Sequence, residues 1–269
     1  MGIDLQDTKL PVGVLLGNAA ALNIDDDQKA MLQLATVRRG KDLSNLEPPR
    51  RANLAALLSK LSVPRAATRD DLLVAVAARS LDLQLHYWDG DMRGEYRRRR
   101  DSGMAALASF ITSQLRVRRA CLWAHDGHVA KLGNVPMLGQ NLAAQLAGRY
   151  YNIGFYLYAG SARAWDATAK IGVISHPIPK APPYTLEGAI MQLAGFPQIA
   201  WLPLRRLPTR FRSWLDTPRL VREVGAVYID ADETLTLRKI PATFDAVVVI
   251  KNGHDSNPTP TGVRNATQK

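Results

Sequence analysis

Two histidines, His125 and His128, stand three positions apart in the stretch CLWAHDGHVA. An apolar run at 119–123 comes just before them, and we expect it to form a buried strand. Asp126 and Gly127 form a strong turn signal, so the histidines should lie where this strand leaves the sheet. If the chain bends there, the two side chains can converge. If it stays extended, they point to opposite faces.

Three kinds of chemistry suit this pair of histidines. A metal site needs at least one further ligand, and His86, His176, His254 or an acid would have to supply it. A general base or a carbonyl-polarising donor also suits histidine, because its reference pKa of about 6.5 lies close to neutral pH. In the third interpretation the side chains only cap and hydrogen-bond a loop. Spacing alone leaves all three open.

Basic residues are concentrated in YRRRR at 96–100, in a chain with 35 Lys and Arg, 24 Asp and Glu and a net charge of +11. This balance favours contact with anions, nucleic acid included. Successive helical residues are about 100° apart, so four arginines cannot share one face and at least one must point toward the protein. No aromatic platform or recognition-helix pattern accompanies the run, which disfavours a nucleic-acid patch.

The spacing of the apolar residues predicts which helices and strands position the histidines and arginines, and this spacing changes along the chain. It is helical from about residue 24 to 118, with breaks at Pro48, Pro49 and Pro64 and an N-cap at Thr68. Beyond residue 118, short runs rich in β-branched and aromatic residues predict strands: RACLW, YYNIGFYLYA, AKIGVIS, IAWLPL, AVYI and FDAVVVI.

Helices are predicted between these strands at 137–146 and at 186–194, the second capped by Thr185. The alternation predicts an α/β fold, a mixed sheet flanked by helices with a large helical insertion at 24–118. We expect a single domain over 1–254 and a flexible tail over 255–269, because the tail has no apolar periodicity.

The lone cysteine, Cys121, lies in an apolar run and is expected to be a buried structural thiol. The longest apolar runs are far shorter than the roughly 20 residues of a membrane-spanning helix, and the N-terminus has no signal-peptide pattern. We therefore expect a soluble, cytoplasmic protein with no membrane partner.

Four motifs in a fixed order resemble the erythromycin esterase family: RDSGMA, LWAHDGHVA, MLGQNL and YYNIGFYLYAG. The family carries Arg-Asp-x-x-Met-Ala, Trp-Ala-His-Asn-x-His, Met-Gly-x-x-Leu and Tyr-x-x-Gly-Phe at these places. The resemblance continues through YTLEGAIMQLAGFPQIAWLPLR, VGAVY and FDAVVVI, and so covers nearly the whole chain. Here Asp126 stands where the family has Asn, and Leu138 intervenes between Met137 and Gly139.

The resemblance implies an α/β hydrolase that opens a carboxylic ester or macrolide lactone, an antibiotic-resistance activity, by histidine-assisted attack of water. It implies a small-molecule partner and neither metal nor cofactor. It places His125 and His128 on the two active-site histidines of the motif and brings Arg100 to the same cleft as a source of positive charge. Asp126 and Glu187 are the candidate substrate-binding residues.

The family pattern also has a Gly-Glu-x-x-His-Gly stretch, which carries the general base, before a Gly-Phe-Asp-x-Gln segment. Residues 2–6, GIDLQ, resemble that segment and directly follow Met1. We therefore expect a truncated chain that is weak or inactive alone, in which His125 and His128 polarise or orient the carbonyl. The alternative is a basic, non-catalytic module that binds nucleic acid or acidic partners.

Overall fold

In a computed structural model, the chain is described over residues 8–36, 46–63, 68–87, 95–133, 135–168, 172–193 and 195–255. These residues form two compact units. The helical unit comprises the residues up to His128 together with Leu132–Tyr150, and the sheet unit comprises Val129–Lys131 and the residues from Tyr151 onward. None of the helices described has the length and apolar character needed to cross a membrane.

Helices occupy most of the described residues between 24 and 118, and helices also precede residue 24. The helices are α1 (Lys9–Gly17), α2 (Ala19–Leu22), α3 (Asp26–Leu34), α4 (Pro48–Leu61), α5 (Arg69–Tyr87), α6 (Glu95–Gln114), α7 (Asp126–Val129) and α8 (Leu138–Leu146). Pro48 begins α4. Proline suits the first turn of a helix because the N–H groups there have no hydrogen-bond partner within the helix, so its missing N–H loses no bond. The Thr68 Oγ1 accepts the Asp71 N–H at 3.2 Å, as an N-cap does.

Two apolar clusters hold the helical unit together. The larger one joins α1, α3, α4 and α5 through fully buried side chains such as Leu15 and Leu58. The smaller one packs α5, α6 and α8 around Met104, Leu107 and Leu138. This smaller cluster fixes α6 against α8, and α6 carries the RDSGMA motif.

The sheet unit has seven described strands: β1 (Ile153–Asp166), β2 (Val173–Ile178), β3 (Ile199–Pro203), β4 (Arg219–Arg222), β5 (Val227–Tyr228), β6 (Leu235–Arg238) and β7 (Ala246–Gly253). Its main sheet runs β2-β1-β7-β3, with β5 beside β1, and β4 pairs with β6. The β1–β7 and β1–β5 pairs are parallel, whereas the β1–β2 and β3–β7 pairs are antiparallel.

Three short helices accompany the strands: α9 (Leu186–Met191), α10 (Thr209–Asp216) and α11 (Ile240–Thr243). Thr185 caps α9 as predicted, because its Oγ1 accepts the Gly188 N–H at 3.1 Å. The predicted fold class, a mixed sheet flanked by helices, is confirmed. The apolar strand β7 forms the centre of the sheet, and Val247 and Val249 on it are completely buried.

The prediction of a buried strand at 119–123 is wrong. This segment has no regular structure, and Cys121 and Trp123 are exposed, Trp123 by 82%. Among the described residues no strand pairs with the segment, and unpaired backbone N–H and C=O groups are costly to bury. Strands β4 and β6 and helices α10 and α11 were not predicted.

Some predictions concern parts of the chain that the structure does not describe. Residues 2–6, Pro64 and residues 256–269 lie outside the described residues, and so does most of the predicted tail. The single-domain boundary at residue 254 stays a prediction.

Candidate active site

The chain bends at Asp126 and Gly127, as the turn signal indicated. The His128 N–H donates to the His125 carbonyl at 2.8 Å, which closes the first turn of α7. The Gly127 N–H donates to Nδ1 of His125 at 3.1 Å. Because Nδ1 accepts this bond, the proton of neutral His125 is on Nε2, and Nε2–H is a hydrogen-bond donor.

The four arginines of α6 lie on different faces of the helix, as the helical period requires. Arg97 and Arg98 are exposed, whereas Arg99 and Arg100 are half-buried. Arg98 and Arg99 both bind the Glu95 carboxylate, each through Nε at 2.8 Å, and these hydrogen bonds lower the pKa of Glu95 to about 2. Arg100 instead faces the α7 turn.

Asp101, the next residue on α6, has no solvent exposure. Its Oδ1 accepts the Nδ1–H of His128 at 2.7 Å and the backbone N–H of Leu138, at the start of α8, at 2.9 Å. The carboxylate is held in place because α6 and α8 pack against each other through the smaller apolar cluster. A fixed carboxylate in turn fixes the ring of His128.

Arg100 contacts the other nitrogen of the same ring, with its Nη1 3.3 Å from Nε2 of His128. A guanidinium can only donate and a carboxylate can only accept. The tautomer of His128 that satisfies both contacts has its proton on Nδ1 and a lone pair at Nε2. We call Arg100, Asp101 and His128 the His128 cluster.

The two candidate substrate-binding residues lie in different units. Asp126 is buried in the first turn of α7, where the helix dipole favours an acid. Glu187 is buried on α9 in the sheet unit, and its Oε1 accepts the Arg222 backbone N–H at 2.6 Å. Burial raises the pKa of the Glu187 carboxyl above its usual value, although the bond from Arg222 opposes this.

The other Glu187 oxygen, Oε2, is buried and has no hydrogen-bond partner among the described residues. Within the part of the chain that is described, no group of three His, Cys, Asp or Glu side chains could hold a metal ion.

Sequence reasoning singled out Arg100, His125 and His128 but missed Asp101 as a site residue. The signal was present in the helical phase of RDSGMA. Asp101 precedes Met104 and Ala105 by three and four positions, and both are core residues of the smaller cluster. Residues at this spacing share a helix face, so Asp101 had to be buried, and a buried carboxylate needs a partner.

Comparisons with known proteins identify the family and the fold. A family model described as erythromycin esterase matches residues 18–253. Two crystal structures have a similar fold: a Bacillus cereus protein with 16% identity and a TM-score of 0.72, and a succinoglycan biosynthesis protein with 14% identity and a TM-score of 0.74. Each match covers 94% of this chain, but only 66% and 64% of the respective neighbour, so this chain spans less than two-thirds of their length. No curated protein sequence matches significantly.

Proposed function

The chain belongs to the erythromycin esterase family, and we propose that its residues serve a hydrolase that opens a carboxylic ester or a macrolide lactone by attack of water. The observation that carries this proposal is the His128 cluster. A buried carboxylate, an imidazole and a guanidinium in contact, in that order, are the groups that a water-activated acyl transfer needs.

The tautomer of His128 sets its role. Its Nε2 has one lone pair, which faces Arg100 in this structure. When Arg100 turns to the substrate oxygen, a water molecule can take its place at Nε2 and give up a proton to it. The water oxygen then forms a bond to the carbonyl carbon, and the carbonyl electron pair moves onto its oxygen. Asp101 stabilises the resulting imidazolium through Nδ1–H. The tetrahedral intermediate then re-forms its C=O bond and breaks the C–O bond to the leaving group, and Nε2–H protonates the departing alkoxide. We therefore assign proton transfer to His128, where the sequence suggested polarisation of the carbonyl.

Positive charge and hydrogen-bond donors for the oxyanion come from Arg100 and His125. The Arg100 guanidinium is 3.3 Å from the base and carries N–H groups that can bind a developing oxyanion. His125 has the complementary tautomer, with Nε2–H as a donor. Asp126 and Glu187 remain proposed substrate-binding residues. This reaction needs neither metal nor cofactor.

Hydrolysis of erythromycin and of p-nitrophenyl acetate tests the proposal in the purified chain and in any longer natural protein that contains it. Ring opening is detected as the gain of one water by mass spectrometry. His128→Ala should lower kcat by roughly 100- to 10,000-fold, the usual contribution of a general base. His254→Ala, at an exposed histidine, is the matched control and should keep the wild-type rate.

Two results would contradict the proposal. The hydrolase function is wrong if none of these proteins hydrolyses either substrate. The assignment of the base is wrong if His128→Ala stays folded and hydrolyses at the wild-type rate.

A further inference from the structure

The sheet unit contains a cavity of about 390 Å³ that the proposed hydrolysis does not use. It is lined by Tyr151, Trp201, Pro203, Arg205 and Arg206, and we call it the Trp201 cavity. Its volume lies in the range of small-molecule sites, roughly 300–1,000 Å³. The two aromatic side chains are only half-buried, with Tyr151 47% and Trp201 50% exposed, so their rings are accessible to a ligand.

The hydrogen-bonding groups of this lining select for acceptors. Arginine and the tryptophan indole can only donate, tyrosine can do both, and proline has no polar side-chain group. Among the residues that the structure describes, no carboxylate or amide side chain lines the cavity to accept hydrogen bonds from a ligand. A ligand that can only donate hydrogen bonds is therefore poorly matched. An anion rich in acceptor oxygens is well matched.

Arg205, one of the two arginines, is held in place by a buried carboxylate. Its partner Asp245 is almost completely buried, and the Asp245 Oδ1 accepts the Arg205 Nε–H at 2.5 Å. The Asp245 Oδ2 accepts from Lys131 and from the Asn152 N–H. Burial alone would raise the pKa of Asp245, but the hydrogen bonds from Lys131, Asn152 and Arg205 outweigh it and hold this pKa below its usual value.

The carboxylate of Asp245 does not cancel the positive charge of the cavity. Lys131 and Arg205 share the single negative charge of Asp245, and Arg206 has no acidic partner among the residues described. The Arg205 guanidinium also lies over the Tyr151 ring, with its Cζ 5.2 Å from the ring centroid. This cation–π contact helps to hold the guanidinium in the cavity wall. A pre-ordered guanidinium loses little freedom when it binds an anion.

We propose that the Trp201 cavity binds a small anion that carries a planar ring, with the ring against Trp201 and the phosphate or carboxylate on Arg205 and Arg206. Stacking on an exposed aromatic ring contributes about 1–3 kcal/mol for a nucleic-acid base. Guanidinium groups supply charge-assisted hydrogen bonds to the anion. The site is independent of the His128 cluster, so it can be correct whether or not the chain hydrolyses esters.

Isothermal titration calorimetry on the full chain tests this proposal with adenosine monophosphate and 2-naphthoate as the two ring-bearing anions. Adenosine has the ring without the charge, and ribose 5-phosphate has the charge without the base. We expect at least one of the ring-bearing anions to bind at least tenfold more tightly than adenosine and ribose 5-phosphate. Which anion binds more tightly shows whether the site prefers phosphate or carboxylate.

Variants locate the binding. Trp201→Ala and Arg206→Ala should each weaken it at least tenfold, and neither residue holds Asp245. The matched controls are Trp165→Ala, at a tryptophan 44% exposed on β1, and Arg97→Ala, at an exposed arginine of α6; both should stay within twofold of wild type. Circular dichroism checks that each variant is folded. The proposal is wrong if neither anion binds, if ribose 5-phosphate binds as tightly as both, or if folded Trp201→Ala and Arg206→Ala bind normally.

Discussion

Replacement of Asp101 by Asn tests the His128 cluster with the smallest change in shape. Both described hydrogen bonds to the carboxylate end on Oδ1, and an Asn oxygen placed there can still accept from His128 and Leu138. The variant therefore keeps the orientation of the imidazole and removes the negative charge that stabilises the imidazolium. If proton transfer to His128 drives hydrolysis, kcat should fall by roughly 100- to 10,000-fold. At about 1.36 kcal/mol per tenfold, this is about 2.7–5.4 kcal/mol of transition-state stabilisation.

The effect on stability should be smaller than the effect on the rate. The Asn amide NH₂ replaces Oδ2, which is buried and has no partner among the described residues, so an unsatisfied donor should cost about 1–3 kcal/mol. Urea unfolding measures this cost, and initial rates with p-nitrophenyl acetate separate kcat from KM. We expect KM to change by less than about threefold, since Asp101 is buried and acts through His128. The matched control is Asp70→Asn, at an exposed acid of α5.

The reasoning about the cluster fails if Asp101→Asn is folded and retains kcat within about twofold of wild type. It also fails if kcat falls by the same factor in Asp101→Asn and in the control Asp70→Asn, because a loss shared by both variants would come from general destabilisation. Asp101→Glu adds a methylene within a packed contact, so it should recover little of the activity even though it restores the charge.

Three further predictions concern the sheet unit. The raised pKa of Glu187 means that the protonated form is favoured by folding, so its contribution is present below about pH 4.3 and is lost as pH rises through the folded-state pKa. Glu187→Gln, which can keep the bond to Arg222, should therefore raise Tm more at pH 8 than at pH 5. The lowered pKa of Asp245 has the opposite sign: its contribution is present above about pH 3.9 and is lost as pH falls through the folded-state pKa. Asp245→Asn should cost about 3–5 kcal/mol in urea unfolding at pH 7, and less at pH 3. Gly188→Ala should lower the unfolding free energy by about 3 kcal/mol, since its Cβ would lie 1.9 Å from the Pro182 carbonyl oxygen; an unchanged urea midpoint would contradict this.

Those parts of the fold that depend on local patterns could be predicted from the sequence. The run FDAVVVI contains the buried start of β7, and Thr185 caps α9, because β-branched runs and capping hydroxyls act over a few residues. The short strands β4 and β6 have no such apolar run. Arg219–Arg222 begins and ends with arginine, and its pairing with β6 comes from tertiary contacts.

In the candidate site, too, some features follow from the local sequence and others from tertiary contacts. The turn at Asp126 and Gly127 follows from local chemistry, and so does the inward-pointing arginine of α6. The strand at 119–123 was expected because its residues are apolar, but burial of a strand depends on a neighbour that may be distant in sequence. The tautomers of His125 and His128 depend on which groups meet each ring nitrogen, and no spacing in the sequence specifies this.

The protonation of the His128 ring is the most direct test of the central claim, because it needs no substrate. Long-range ¹H–¹⁵N correlation spectra of the ¹⁵N-labelled chain at neutral pH report which ring nitrogen carries the proton, and His128→Gln assigns the signals. We predict a protonated Nδ1 and an unprotonated Nε2 for His128, held by Asp101 and Arg100. A proton on Nε2 with Nδ1 bare would contradict the assignment of His128 as the proton acceptor.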